Sequence, residues 1–72
     1  SLLKQDIFNR LLNLAILDLS FNSIELIHSD CFSNNSKLII LNLNDNRIKT
    51  FEKKLLKNLI QLNLINLTAN YI

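Results

Sequence analysis

His28, Asp30 and Cys31 are the residues of this chain whose types and spacing suggest covalent chemistry. An imidazole three residues from a thiol, with a carboxylate between them in sequence, could act as the thiol's base. Two acceptors for N-linked glycan, Asn34 in "NNS" and Asn66 in "NLT", offer a second kind of chemistry. A third is electrostatic: Arg47, Lys49, Lys53, Lys54 and Lys57 form a basic cluster that would attract a polyanion. Then there are the carboxamides. Asn22, Asn46 and Asn70 each stand three places after a leucine and two before an isoleucine.

The elements that must hold these groups are set by a repeat. The three asparagines are spaced by 24 residues, and so are Leu14, Leu38 and Leu62; Leu17, Leu41 and Ile65; Leu19, Leu43 and Leu67; and Ile24, Ile48 and Ile72. Fainter columns join Leu3, Ile27 and Phe51; Phe8, Phe32 and Leu56; and Leu11, Asn35 and Leu59. A fixed period of this length is the mark of a repeat array, so residues 1–72 read as a single segment of about three 24-residue units.

Column membership decides most of the candidates. Cys31 shares its column with Ile7 and Leu55, which makes it a small buried apolar residue. His28 shares its column with Lys4 and Glu52 and is expected at the solvent. With no Gly for a phosphate loop, no oxyanion-hole element and no second ligand, no enzyme, metal site or cofactor is expected. Charge is uneven: residues 1–36 carry two bases against four acids, and 37–72 carry six against two. The basic cluster lacks interleaved aromatics, so nucleic acid is not expected as a partner. The most apolar stretch, "LLKNLIQLNLINL", is broken by Lys57, Asn58, Gln61, Asn63 and Asn66, so this segment is not expected to enter a membrane.

The chain is 49% hydrophobic, with one Cys and no Gly, Pro, Met or Trp. A core of this size with no internal disulfide is marginal alone. Together with a start at Ser1, this predicts a piece of a longer solenoid, flanked by neighbouring repeats of the same kind.

The pattern Leu-x-x-Leu-x-Leu-x-x-Asn-x-Ile, present from Leu14, Leu38 and Leu62, resembles the leucine-rich repeat family over the whole chain. The 24-residue period with Phe8 and Phe32 is similar to the extracellular subtype of Toll-like receptors and small leucine-rich proteoglycans. Asn35 departs from the pattern where a leucine is expected, and the usual Pro, Gly and cysteine-rich caps are missing. The resemblance implies an α/β-type solenoid: a right-handed coil with a short parallel β-sheet on its concave face and irregular or short helical convex returns.

Alternation in "ILDLS", "ILNLN" and "LINLT" agrees, placing strands near 16–20, 40–44 and 64–68. Connections of this length make them parallel. Where each strand ends, an inward turn would leave backbone groups without ladder partners. Asn22, Asn46 and Asn70 can bridge the turns above and below, forming a structural asparagine ladder.

Recognition is left to outward-facing side chains. They form columns of Ile16, Ile40 and Leu64; Asp18, Asn42 and Asn66; Ser20, Asn44 and Thr68; and Phe21 and Asp45 with Ala69. The first is an apolar ribbon beside polar ones, as protein contact patches tend to be. Phe21 reads two ways, as an anchor on this surface or, more in keeping with the family, as a core residue beside the asparagine row. A glycan on Asn34 would sit harmlessly on the convex return, and one on Asn66 would block the contact face. The expected function is non-catalytic protein–protein recognition by a receptor ectodomain or secreted protein, outside the cell or at its surface, with a protein ligand or co-receptor as partner. The alternative is an intracellular adaptor or scaffold, cytoplasmic and structural in role.

Overall fold

A computed structural model of the chain describes residues 2–4 and 7–72; Asp6, counted in the charge of the first half, lies outside them. Among the described residues, five short strands appear in the order β1 (Leu2–Leu3), β2 (Ile16–Asp18), β3 (Leu26–Ile27), β4 (Ile40–Asn42) and β5 (Leu64–Asn66), with a 3-10 helix over Lys53–Leu56 before β5. β2, β4 and β5 form a parallel sheet in repeat register, Ile16 beside Ile40 and Ile40 beside Leu64. A second parallel pair joins β1 to β3, with Leu2 beside Leu26 and Leu3 beside Ile27.

The strands are three residues long, shorter than the 16–20, 40–44 and 64–68 spans expected from alternation. The hydrogen-bonded ladder nevertheless runs on. Leu19 N donates to Asn42 O at 2.8 Å, Phe21 N to Asn44 O at 3.1 Å, and Leu43 N and Asp45 N repeat the pattern on Asn66 O and Thr68 O. Past the turn it resumes, with Arg47 N on Ile24 O and Tyr71 N on Ile48 O, both at 2.9 Å. The backbone bends at the strand ends without losing contact between coils.

The bend is a left-handed residue. Phe21, Asp45 and Ala69 have φ of 56°, 58° and 55°, a conformation that costs a non-glycine residue roughly 1–2 kcal/mol. The next residue is the ladder asparagine in each case. Asn46 Nδ2 donates to Leu19 O at 3.0 Å, Leu43 O at 3.0 Å and Asn44 O at 3.3 Å, while its Oδ1 accepts from Ile24 N at 3.1 Å. Asn70 repeats the set one coil on: Ile48 N reaches its Oδ1 at 2.9 Å, and its Nδ2 donates to Leu43, Leu67 and Thr68 carbonyls. The bridge runs one way. Each asparagine ties its own turn to the preceding coil, not to coils on both sides as the sequence reading had it. Asn22, in the first of these turns, is exposed and bonds Leu19 O and Ser20 O of its own turn.

The convex returns are built from turns closing three residues apart: Leu11 N on Phe8 O and Leu14 N on Leu11 O, then Asn35 N on Phe32 O and Leu38 N on Asn35 O, then Leu59 N on Leu56 O and Leu62 N on Leu59 O. In such turns side chains at i and i+3 share a direction. Phe32, Asn35 and Leu38 therefore all point into the core, each at most 1% exposed. Phe8 and Phe32 stack with ring centroids 5.9 Å apart. Asn35, which looked like a lapse in the pattern, acts as a second bracket: its Nδ2 donates to Phe8 O at 3.2 Å and Leu11 O at 3.1 Å. Its Oδ1 is buried without a partner.

Burial follows position in the stack. Leu38, Leu41, Leu43 and Ile48 are fully buried, whereas Leu14, Leu17 and Leu19 and their counterparts Leu62, Ile65 and Leu67 are only half-buried against them. Each coil is thus completed by its neighbours, as in a one-dimensional stack.

The two kinds of buried asparagine should behave differently on substitution. The Asn46 oxygen is what Ile24 N bonds to, so Asn46→Ala should lower unfolding free energy by about 1–3 kcal/mol. The carbonyls served by Asn35 already accept from Leu11 N and Leu14 N, so Asn35→Leu should stay within about 1 kcal/mol of the parent. Chemical denaturation of both variants checks the contrast.

Candidate protein-contact face

The outward side of the three-stranded sheet collects the residues singled out for binding. Ile16, Ile40 and Leu64 stand in register as one aliphatic row, with Ile16 59% and Leu64 52% exposed and Ile40 half-buried between them. Beside it run Asp18, Asn42 and Asn66, also in register.

This second row closes local turns at the ends of β2 and β5, while β4 is equally short without one. Asp18 Oδ1 accepts from Ser20 N at 3.0 Å and from Ser20 Oγ at 2.6 Å, and Asn66 Oδ1 accepts from Thr68 N at 3.0 Å and Thr68 Oγ1 at 2.8 Å. A side-chain oxygen bonding the backbone two residues on is a local turn that competes with extended pairing. The Ser20 hydroxyl and then its amide hold the Asp18 carboxyl below the ordinary carboxylate range, so it stays ionised. In the middle coil Asn44 Nδ2 donates instead to Asp45 Oδ2 at 2.8 Å.

Phe21 settles between its two readings. It is 77% exposed, so it does not pack inward beside the asparagine row. The physical reason is its φ of 56°, which turns the chain so that the next side chain, Asn22, reaches the backbone carbonyls of its own turn while Phe21 points out. Asp45 and Ala69 take the same conformation, so the structure brings Phe21, Asp45 and Ala69 into one row at the strand ends. Nothing in Phe or Ala announces a left-handed residue, and Asp45 alone is of a type that favours one, so the sequence reading missed this row.

The other candidates lie away from this face. Cys31 is buried in the core, and burial pushes its thiol up to about 11, opposite to what a nucleophile needs. His28 is half-buried, not fully solvent-facing as its column suggested, because its amide extends the second sheet to Leu3 O at 2.8 Å. Its Nδ1 accepts from Asp30 N at 3.1 Å. Asn34 is exposed on the convex return, where its Nδ2 donates to both oxygens of Asn9. Asn66 is half-buried on the contact face. Arg47, Lys49, Lys53, Lys54 and Lys57 are exposed. Among the described residues, no group of His, Cys, Asp and Glu is placed to hold a metal, and no helix is long and apolar enough to cross a membrane.

Parallel strands recurring every 24 residues, joined by returns with almost no helix, define a repeat solenoid. A family model described as the leucine rich repeat matches residues 12–72, and the chain belongs to the leucine-rich repeat family. A search of curated proteins found no match. Repeats of this family generally mediate protein–protein interaction and are not catalytic.

Two consequences can be measured. Asparagine tolerates the left-handed region far better than phenylalanine, so Phe21→Asn should raise stability by about 1 kcal/mol in equilibrium unfolding. For Cys31, a rise from 9.0 to about 11 lowers the thiolate fraction at pH 8 roughly 100-fold, and iodoacetamide should label the folded chain at least that much more slowly than the unfolded one. The same shift favours the folded state below pH 9 and gives that advantage up as pH rises toward 11.

Proposed function

We propose that this chain is a rigid recognition segment of a receptor ectodomain or secreted protein. It binds a protein ligand or co-receptor through the strand face formed by Ile16, Asp18, Ser20, Phe21, Ile40, Asn42, Asn44, Asp45, Leu64, Asn66 and Thr68. The observation that carries the reading is the in-register aliphatic row Ile16, Ile40 and Leu64, left open to solvent beside two polar rows. An apolar strip rimmed by polar groups has the composition of a protein contact patch. The strand ends are held by the asparagine ladder, so little conformational entropy is lost when a partner docks.

The half-buried leucines of the outer coils fit further repeats stacked against residues 1–72 in a longer array. A right-handed coil fits the parallel strands, since crossovers between parallel strands take that hand. An extracellular setting is supported by Asn34, an exposed glycan acceptor in "NNS" on the return and off the contact face.

Site-specific photo-cross-linking of the protein in its native cell tests the face. A cross-linker at position 16 or 64 should trap a partner protein, and one at position 53 should not; trapping from position 53 alone would contradict the proposal. Peptide mapping after glycosidase treatment tests the setting, with glycan expected on Asn34 and none on Asn66. Bare asparagine at both sites would favour a cytoplasmic adaptor.

A further inference from the structure

The outward-facing columns of the sheet contain Asp18 and Asp45 and none of the eight Lys and Arg residues, although the chain as a whole carries a net charge of +2. Lys37, the base that precedes β4, stands at the opposite end of the strands, where its Nζ donates to Asn13 Oδ1 at 2.9 Å. Arg47 lies past the inward turn. The face is therefore apolar along Ile16, Ile40 and Leu64 and anionic at the C-terminal ends of its strands.

The fold does not require those two charges. Asp18 shares its row with Asn42 and Asn66, and Asn66 Oδ1 takes the same pair of bonds from Thr68 that Asp18 Oδ1 takes from Ser20. A neutral asparagine makes the same turn. Asp45 shares its left-handed position with Phe21 and Ala69, so the turn needs no carboxylate there either, and the half-buried side chain has one oxygen, Oδ2, engaged by Asn44. Asp18 is an exposed side chain with one oxygen, Oδ1, engaged by Ser20. Charges that are dispensable to the turn, sit beside an open aliphatic row and have no base among their outward neighbours are placed for an external cation.

Resting on the strand-face reading above, we propose that the partner is a basic protein segment. It lays aliphatic side chains on the Ile16, Ile40 and Leu64 row and sets Lys or Arg side chains against Asp18 and Asp45. The asymmetry also orients it, with the basic end over the C-terminal ends of the strands and away from Lys37.

A displayed random-peptide library panned on the full chain tests this. One enriched peptide is then measured against the parent, Asp18→Asn with Asp45→Asn, Ile16→Asp with Leu64→Asp, and the convex control Lys53→Glu with Lys54→Glu. The first pair places asparagine at a position two other coils already fill with it and at a left-handed site that suits it, so the fold should survive; circular dichroism confirms that for all variants. Enriched peptides should carry Lys or Arg next to aliphatic residues. They should lose roughly threefold to tenfold in affinity on the aspartate pair, less in high salt, and should be indifferent to the convex pair. Peptides without basic residues that bind the aspartate pair as well as the parent, yet are lost on Ile16→Asp with Leu64→Asp, would overturn the basic-partner inference and leave the strand-face reading standing. Peptides lost only on the convex pair, or a library yielding none that depends on the strand face, would overturn both.

Discussion

A strand that turns inward leaves amide and carbonyl groups facing an apolar interior, and a buried polar group without a partner costs on the order of 1–3 kcal/mol. Every coil of this protein meets that constraint at the same place. In the second and third turns the carboxamides of Asn46 and Asn70 meet it, accepting from Ile24 and Ile48 and donating to carbonyls on two successive coils. Because one carboxamide bonds backbone groups on both its own coil and the preceding one, the asparagine sets the register of one coil on the next. The sheet, the stacked Phe8 and Phe32 and the buried leucines inherit that register.

The proposed contact face is a by-product of the same geometry. Alternate residues on each strand must bury Leu17, Leu41 and Ile65, and those between must face out. With the coils in register, outward residues line up as rows and not as scattered points. A row of aliphatics is a surface only because its members are neighbours on adjacent coils. The left-handed residues at positions 21, 45 and 69 add a further row at the strand ends, and its content is free to vary because the conformation is imposed by the turn. Phe21, Asp45 and Ala69 share almost nothing else.

Much of this was legible in the residues. The period of 24 predicted that the strands would be parallel and in register, that Leu38, Leu41 and Leu43 of the middle coil would be buried and that Asn46 would be interior, whereas Leu11, Leu56 and Ile72, members of the same apolar columns, are exposed because no coil covers them on one side. Three features were not. The first and third strands run into turns that Asp18 and Asn66 close on the backbone ahead of them, a local competition that hydrophobic alternation does not encode. Phe21 faces out because of a dihedral angle that no glycine signals. Asn35 looked like a defect because a leucine column says nothing about a carboxamide reaching Phe8 O and Leu11 O on the neighbouring coil. In the first and last cases the missing information is a hydrogen bond made by a side chain to backbone, and in the second a backbone angle, whereas the repeat reports mainly on apolar burial. The outward rows of the strand face were legible as a set of columns, and their charge asymmetry emerged once the fold had separated residues that the turns require from residues they do not.

The measurement that bears most directly on the asparagine constraint is residue-resolved amide hydrogen exchange of the full chain, read at Ile24 and Ile48. Both amides lie just past the bend, where they bond to the Asn46 and Asn70 carboxamides. If those bonds hold the stack together, the two should be protected to the same degree as Leu19 and Leu43 in the sheet ladder. Exchange at the rate of an open loop, with Leu19 and Leu43 still protected, would mean that apolar packing sets the register without the asparagines.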